Sequence, residues 1–130
     1  MSDSPWANFP YSELRCRCGH CDSTGREMDP VFMALLQRLR QVYGKPMPLS
    51  SGYRCPLHPN EVNKREAGEH SQGKAVDVKC HGADAVKILQ MALNLGFVRV
   101  GVKQKGPGRF LHLGLASEGD RFPSPMIWSY

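Results

Sequence analysis

Two periodicities organise the chain. Between Asp29 and Gly44, apolar side chains recur at helical spacing as Phe32, Leu35, Leu36, Leu39, Val42 and Tyr43. That spacing predicts an amphipathic helix, with Asp29 as its cap and Pro30 in its first turn. Gly44 ends it, and Pro46 and Pro48 forbid its return. Residues 47–51 read as a short strand leading into a turn at Ser51–Arg54, and residues 54–73 are polar and irregular, a length of loop that usually carries function. A strand is expected over Lys74–Lys79, and a second helix over Ala83–Leu95, with Val86, Leu89, Gln90 and Leu93 marking its sides and Gly96 closing it. Phe97–Val102 and Arg109–Leu115 alternate as strands around a Gly- and Pro-rich turn, and the tail from Arg121 is extended.

The first 27 residues read as irregular, and no repeat or linker divides the chain. Two helices and about four strands without a βαβ rhythm imply an α+β fold, an antiparallel sheet packed against helices, in one domain over residues 1–130.

Side-chain alternation turns the strands into a chemical prediction. Val76 and Val78 point to a core, so Asp77 points away from it; Leu111, Leu113 and Leu115 point to a core, so His112 points away. If the two strands are neighbours, Asp77 and His112 stand side by side. His70, in the loop before the first of them, can fold over both, because Gly73 permits a sharp approach. Two imidazoles and a carboxylate suit zinc, with a fourth position left for water.

Composition alters this picture little. Apolar residues at 41% and charged residues at 22% are those of an ordinary globular domain. The net charge of +5 suits either contact with a polyanion or solubility. The basic residues are scattered without interleaved aromatics, so no nucleic-acid partner is expected. No apolar run approaches the roughly 18 residues of a membrane span, so no membrane insertion is expected. The first residues lack the basic start and apolar stretch of a secretory signal. The expectation is a monomer made in the cytoplasm that would have to be released to act outside it.

The segment His70-Ser-Gln-Gly73-Lys-Ala75-Val-Asp77 resembles the S-x-H-x-x-G-x-A-x-D signature of the zinc D-alanyl-D-alanine carboxypeptidases and related L,D-endopeptidases. Ser51-Gly-Tyr-Arg54-Cys-Pro56 resembles that family's S-x-Y-R-x-P turn, and Phe110-Leu-His112-Leu its last zinc-ligand strand. The segments Glu13–Cys16 and Pro125–Tyr130 look like those of small phage-encoded members. The resemblance implies a hedgehog/DD-peptidase fold, zinc held by His70, Asp77 and His112, and Arg54 placed to stabilise the substrate carbonyl or grip a carboxylate. It implies hydrolysis of peptide bonds in peptidoglycan stem peptides at the cell wall, in the manner of a carboxypeptidase or an endolysin-type endopeptidase.

Three positions depart from the pattern. Gly68 stands where the signature has serine, Arg109 where the family often has its general base, and Gly114 where many small members have aspartate. A peptidase needs a group to carry the proton from water to the leaving amine, and no residue fills that role by motif. Glu69 and Glu118 are the candidates carried forward, with His81 and Asp84 further off. A relative without such a base would be a non-catalytic zinc-binding module for a peptide or protein.

Five cysteines, an odd number, do not make a closed disulfide framework. Cys16, Cys18 and Cys21 with His20 can hold a structural zinc completed by Cys55 or Cys80; they can equally be buried thiols or form a disulfide. His58 reads as a loop-shaping hydrogen-bonder; Trp6 and Trp128 read as packing residues, and Trp128 and Tyr130 can also line a peptide groove.

Overall fold

The computed structural model describes residues 4–19, 21–61, 68–116 and 122–130. Three helices and five strands follow in the order α1 (Tyr11–Leu14), α2 (Pro30–Tyr43), β1 (Leu49–Ser51), β2 (Ala75–Lys79), α3 (Gly82–Leu95), β3 (Arg99–Lys103), β4 (Phe110–Gly114) and β5 (Met126–Ser129). A 3₁₀ turn, Glu69–Gln72, precedes β2. The stretch expected to be irregular thus holds one short helix, whose Leu14 is fully buried.

The strands form one sheet in the order β1-β2-β4-β3-β5. The first four pair antiparallel, as expected; β5 pairs parallel with β3, so the sheet is mixed. The tail therefore does more than extend: it supplies the edge strand.

Helix α2 begins and ends as its sequence dictates. Asp29 accepts a hydrogen bond from the Phe32 N–H at 2.8 Å, and Gly44 closes the helix at φ 77°. Phe32, Met33, Leu36 and Leu39 are buried, whereas Val42 is exposed, one step beyond the buried stripe. In α3 the fully buried residues are Ala85, Ile88 and Ala92, Leu89 and Leu95 pack half-buried against the core, and Val86 and Leu93 face outward. Alanines let that helix lie close to its neighbours, and close approach rather than side-chain bulk decides which face packs.

The core holds α2 and α3 against the sheet side carrying Val76, Val78, Val100, Leu111 and Leu113, with Phe32 meeting Phe97 edge-on at 5.8 Å. The opposite side of the sheet is left for chemistry. Gly73 joins the two halves: its carbonyl accepts from the Asp29 N–H at 2.9 Å, at the start of α2. Its φ is +69°, and an added Cβ would come within 2.3 Å of the Glu27 carbonyl oxygen. Gly73→Ala should therefore destabilise the protein by about 2 kcal/mol or more, read as a lower midpoint of urea unfolding. An unchanged midpoint would show that the turn adapts.

Candidate metal centre

One transverse row of the sheet carries the centre. Asp77 pairs with Ser51 on one side and with His112 on the other, His112 pairs with Gly101, and Gly101 with Trp128. The alternation read from the sequence thus places Asp77 and His112 directly opposite each other. His70 arrives from the 3₁₀ turn, which Gly73 closes. His70 Nε2 and His112 Nδ1 each lie 3.2 Å from Asp77 Oδ1, and the rings meet edge-on with centroids 4.9 Å apart.

One ligand atom from each of His70, Asp77 and His112 falls within 4.8 Å of the others. All three residues are buried, yet they line a cleft of about 490 Å³ that Arg54, Trp128 and Tyr130 also border. Two imidazoles and one carboxylate on an open cleft make the donor set of a catalytic zinc.

The atoms turned away from this triangle are held as well. His70 Nδ1 lies 2.8 Å from the Gly52 carbonyl oxygen, and His112 Nε2 contacts the Glu69 carboxylate. Partners of this kind fix ring orientation in metal-binding histidines. Arg54 donates from Nη2 to Asp77 Oδ2 at 3.0 Å, from Nη1 to Glu61 Oε2 at 3.3 Å and from Nε to Ser51 Oγ at 3.0 Å. Arg54 therefore grips the outer oxygen of Asp77 and leaves Oδ1 to the imidazoles.

Electrostatics follow from this packing. Burial alone would raise Asp77, but hydrogen bonds from His112 and His70 outweigh it and hold the carboxyl well below the usual range. Burial lowers His70, only partly offset by Asp77. For His112, burial is overcome by Asp77 and Glu69 together, and its value rises.

Glu69, a candidate base in the sequence, lines the cleft, but its carboxylate is engaged on the Nε2 side of the His112 ring. It also accepts from Arg99 Nε at 3.1 Å and from the Ala116 N–H at 3.3 Å. A Cβ added at Gly114 would lie 2.2 Å from Glu69 Oε2. The Glu69 carboxylate thus fills the space beside Gly114, one of the three positions that depart from the pattern, and leaves no room there for a side chain.

Glu118 lies outside the described residues, as does His20. His81 and Asp84 sit at the start of α3, and Asp84 pairs with Lys45 at 2.7 Å; neither lines the cleft. His58 Nδ1 accepts from the Asn60 N–H at 3.0 Å, shaping its loop.

Sequence reasoning missed Glu61 and Arg99, both buried. Glu61 holds Arg54 and accepts from the Gly68 N–H at 2.7 Å, a pairing that no local pattern announces. Arg99 had a signal: it shares a strand face with Gly101 in an otherwise apolar run. Its guanidinium lies 5.1 Å from the Phe122 and Trp128 ring centroids. Trp128 in turn lies over Gly101, where a Cβ would be 2.6 Å from its Nε1, and stacks 4.9 Å from His112. No helix among the described residues is long and apolar enough to cross a membrane.

A search of curated proteins returns no match. A family profile described as Peptidase M15 covers residues 7–114, a span containing Arg54, Glu69 and all three residues of the His70–Asp77–His112 triangle. With most of its length inside that profile, the chain belongs to the Peptidase M15 family of zinc-dependent metallopeptidases.

Proposed function

We propose that the protein hydrolyses peptide bonds in the stem peptides of bacterial peptidoglycan, with His70, Asp77 and His112 as its zinc ligands. The observation that carries this reading is the convergence of their three ligand atoms at the floor of an open cleft. Zinc bound there supplies Lewis-acid chemistry at the scissile carbonyl and activates the attacking water. Arg54 orients Asp77 and adds a positive charge beside the place where negative charge develops on the substrate. Trp128 and Tyr130 give the extended peptide an aromatic wall.

Glu69 acts through His112 as a positioning residue, keeping Nδ1 turned toward Asp77. The proton step then falls to another group, and Glu118 is the remaining candidate from the sequence. The substrate places the site of action at the cell wall.

A second reading, a zinc-holding module that binds peptide without cutting it, has one observation in its favour. Among the described residues, the only carboxylates lining the cleft are Asp77 and Glu69, and both are engaged.

Mass spectrometry of purified muropeptides decides between the two. Zinc-loaded protein is expected to yield products whose masses identify the bond, and His112→Ala to yield none while remaining folded by circular dichroism. Unchanged muropeptides with wild-type, zinc-loaded protein would overturn the hydrolase reading and leave the binding module.

A further inference from the structure

A second cluster of donors lies in the chain, away from the cleft. The Sγ atoms of Cys16, Cys18, Cys21 and Cys55 all fall within 4.8 Å of one another, with Cys18 and Cys55 at 3.5 Å. None of the four is in a disulfide. We propose that these four cysteines bind a structural zinc ion, independent of the one assigned to His70, Asp77 and His112.

The geometry fits the ion. Zn–S bonds of about 2.3 Å in a tetrahedron put the sulfurs about 3.8 Å apart. Paired disulfides would instead separate the sulfurs into two couples; here each sulfur is a neighbour of the other three. Closed four-sulfur sites of this kind are structural, because no position is left for substrate.

The backbone is built to turn the thiols inward. Gly19, directly after Cys18, takes the left-handed conformation at φ 78°. The Cys16 N–H is held by Ser23 Oγ at 2.7 Å. The Cys55 N–H donates to Cys16 Sγ at 3.2 Å, a bond that favours a thiolate at that sulfur. The segment is pinned from the other side by the Tyr53 N–H on the Leu14 carbonyl at 2.8 Å. Two of the thiols, Cys16 and Cys55, are buried and two are half-buried.

Burial raises the Cys16 thiol. Burial first, and then the neighbouring thiols, push Cys55 up to about 12. A divalent cation binding here displaces those protons and holds the sulfurs as thiolates.

The location gives the ion its task. Three ligands come from the N-terminal segment, and the fourth immediately follows Arg54, whose guanidinium grips Asp77. A zinc knot would tie that segment to the Arg54 turn and so steady the outer support of the catalytic centre. Cys80 takes no part: its Sγ lies 3.4 Å from the Val78 carbonyl oxygen, among core residues.

Cobalt substitution tests this, first in the wild-type protein and then in three variants. Reduced wild-type protein titrated with cobalt is expected to take up a second equivalent of metal and to show the strong near-ultraviolet charge-transfer absorption of tetrahedral cobalt–thiolate bonds. That band should persist in His112→Ala and Cys80→Ser and be lost or much weakened in Cys21→Ser. A wild-type protein with no thiolate band, or one whose native mass shows these cysteines in disulfides, would overturn the proposal. Because the band reports sulfur ligation alone, its presence or absence is independent of whether any muropeptide is cut.

Discussion

Asp77→Ala is expected to empty the catalytic centre of zinc and take peptide hydrolysis to background. Asp77 is the point on which the centre converges: Oδ1 faces both imidazoles and Oδ2 receives Arg54. Removing it takes away one of the three proposed ligands and leaves two imidazoles close together with no anion between them. It also strips the half-buried Arg54 guanidinium of one of its two carboxylate partners. Breaking a buried ion pair costs about 3–5 kcal/mol, and because Arg54 keeps Glu61 the lower end of that range is expected. Asp77→Asn preserves shape and should unfold less readily, yet still hold zinc weakly. Zinc content per chain, urea midpoints and muropeptide turnover would be measured together. Full activity in Asp77→Ala would remove this residue from the centre.

The second large effect is expected at Gly114. Gly114→Asp restores the residue that many small relatives carry, and for that reason looks harmless by sequence. In this fold the space is already taken, since a Cβ there would meet Glu69 Oε2 at 2.2 Å. The new side chain must push Glu69 off His112 and Arg99, placing two carboxylates in one buried site. Overpacking alone costs about 1–3 kcal/mol, and the displaced charge adds to it. The variant should lose stability and zinc affinity together. Gly114→Asp combined with Glu69→Ser should recover much of both, because the aspartate then inherits the vacated space. A double variant no better than the single one would show that the two positions are not exchangeable.

The site was partly legible from sequence because strand alternation is a strict period. Once Val76 and Val78 were assigned to the core, Asp77 had to face the other side, and the same holds for His112 between Leu111 and Leu113. What alternation cannot supply is which strands adjoin. The parallel pairing of β5 with β3, which brings Trp128 over Gly101, depends on the course of the chain between them. The supports of the centre were hidden for a related reason. Glu61 and Arg99 are buried charges: Glu61 meets Arg54 within the irregular loop and Arg99 meets Glu69 from a different element, so neither pairing follows a helix or strand period. In α3 the sides were legible, but the buried face pairs Ile88 with the small Ala85 and Ala92, which carry little hydrophobic signal of their own. Among the cysteines, the spacing of Cys16, Cys18 and Cys21 was visible, but only the fold distinguishes Cys55 from Cys80 as their companion.

The transverse row from Ser51 to Trp128 makes frame fidelity a shared requirement of folding and chemistry. A one-residue slip of β4 against β2 would drive His112 into the greasy layer and lift Leu111 and Leu113 toward solvent. No misaligned sheet can therefore survive as a stable but inert impostor. Single-residue insertions within β2 or β4 should accordingly be far more harmful than insertions in the hairpin at Gly106–Gly108, where the frame of both strands is left untouched.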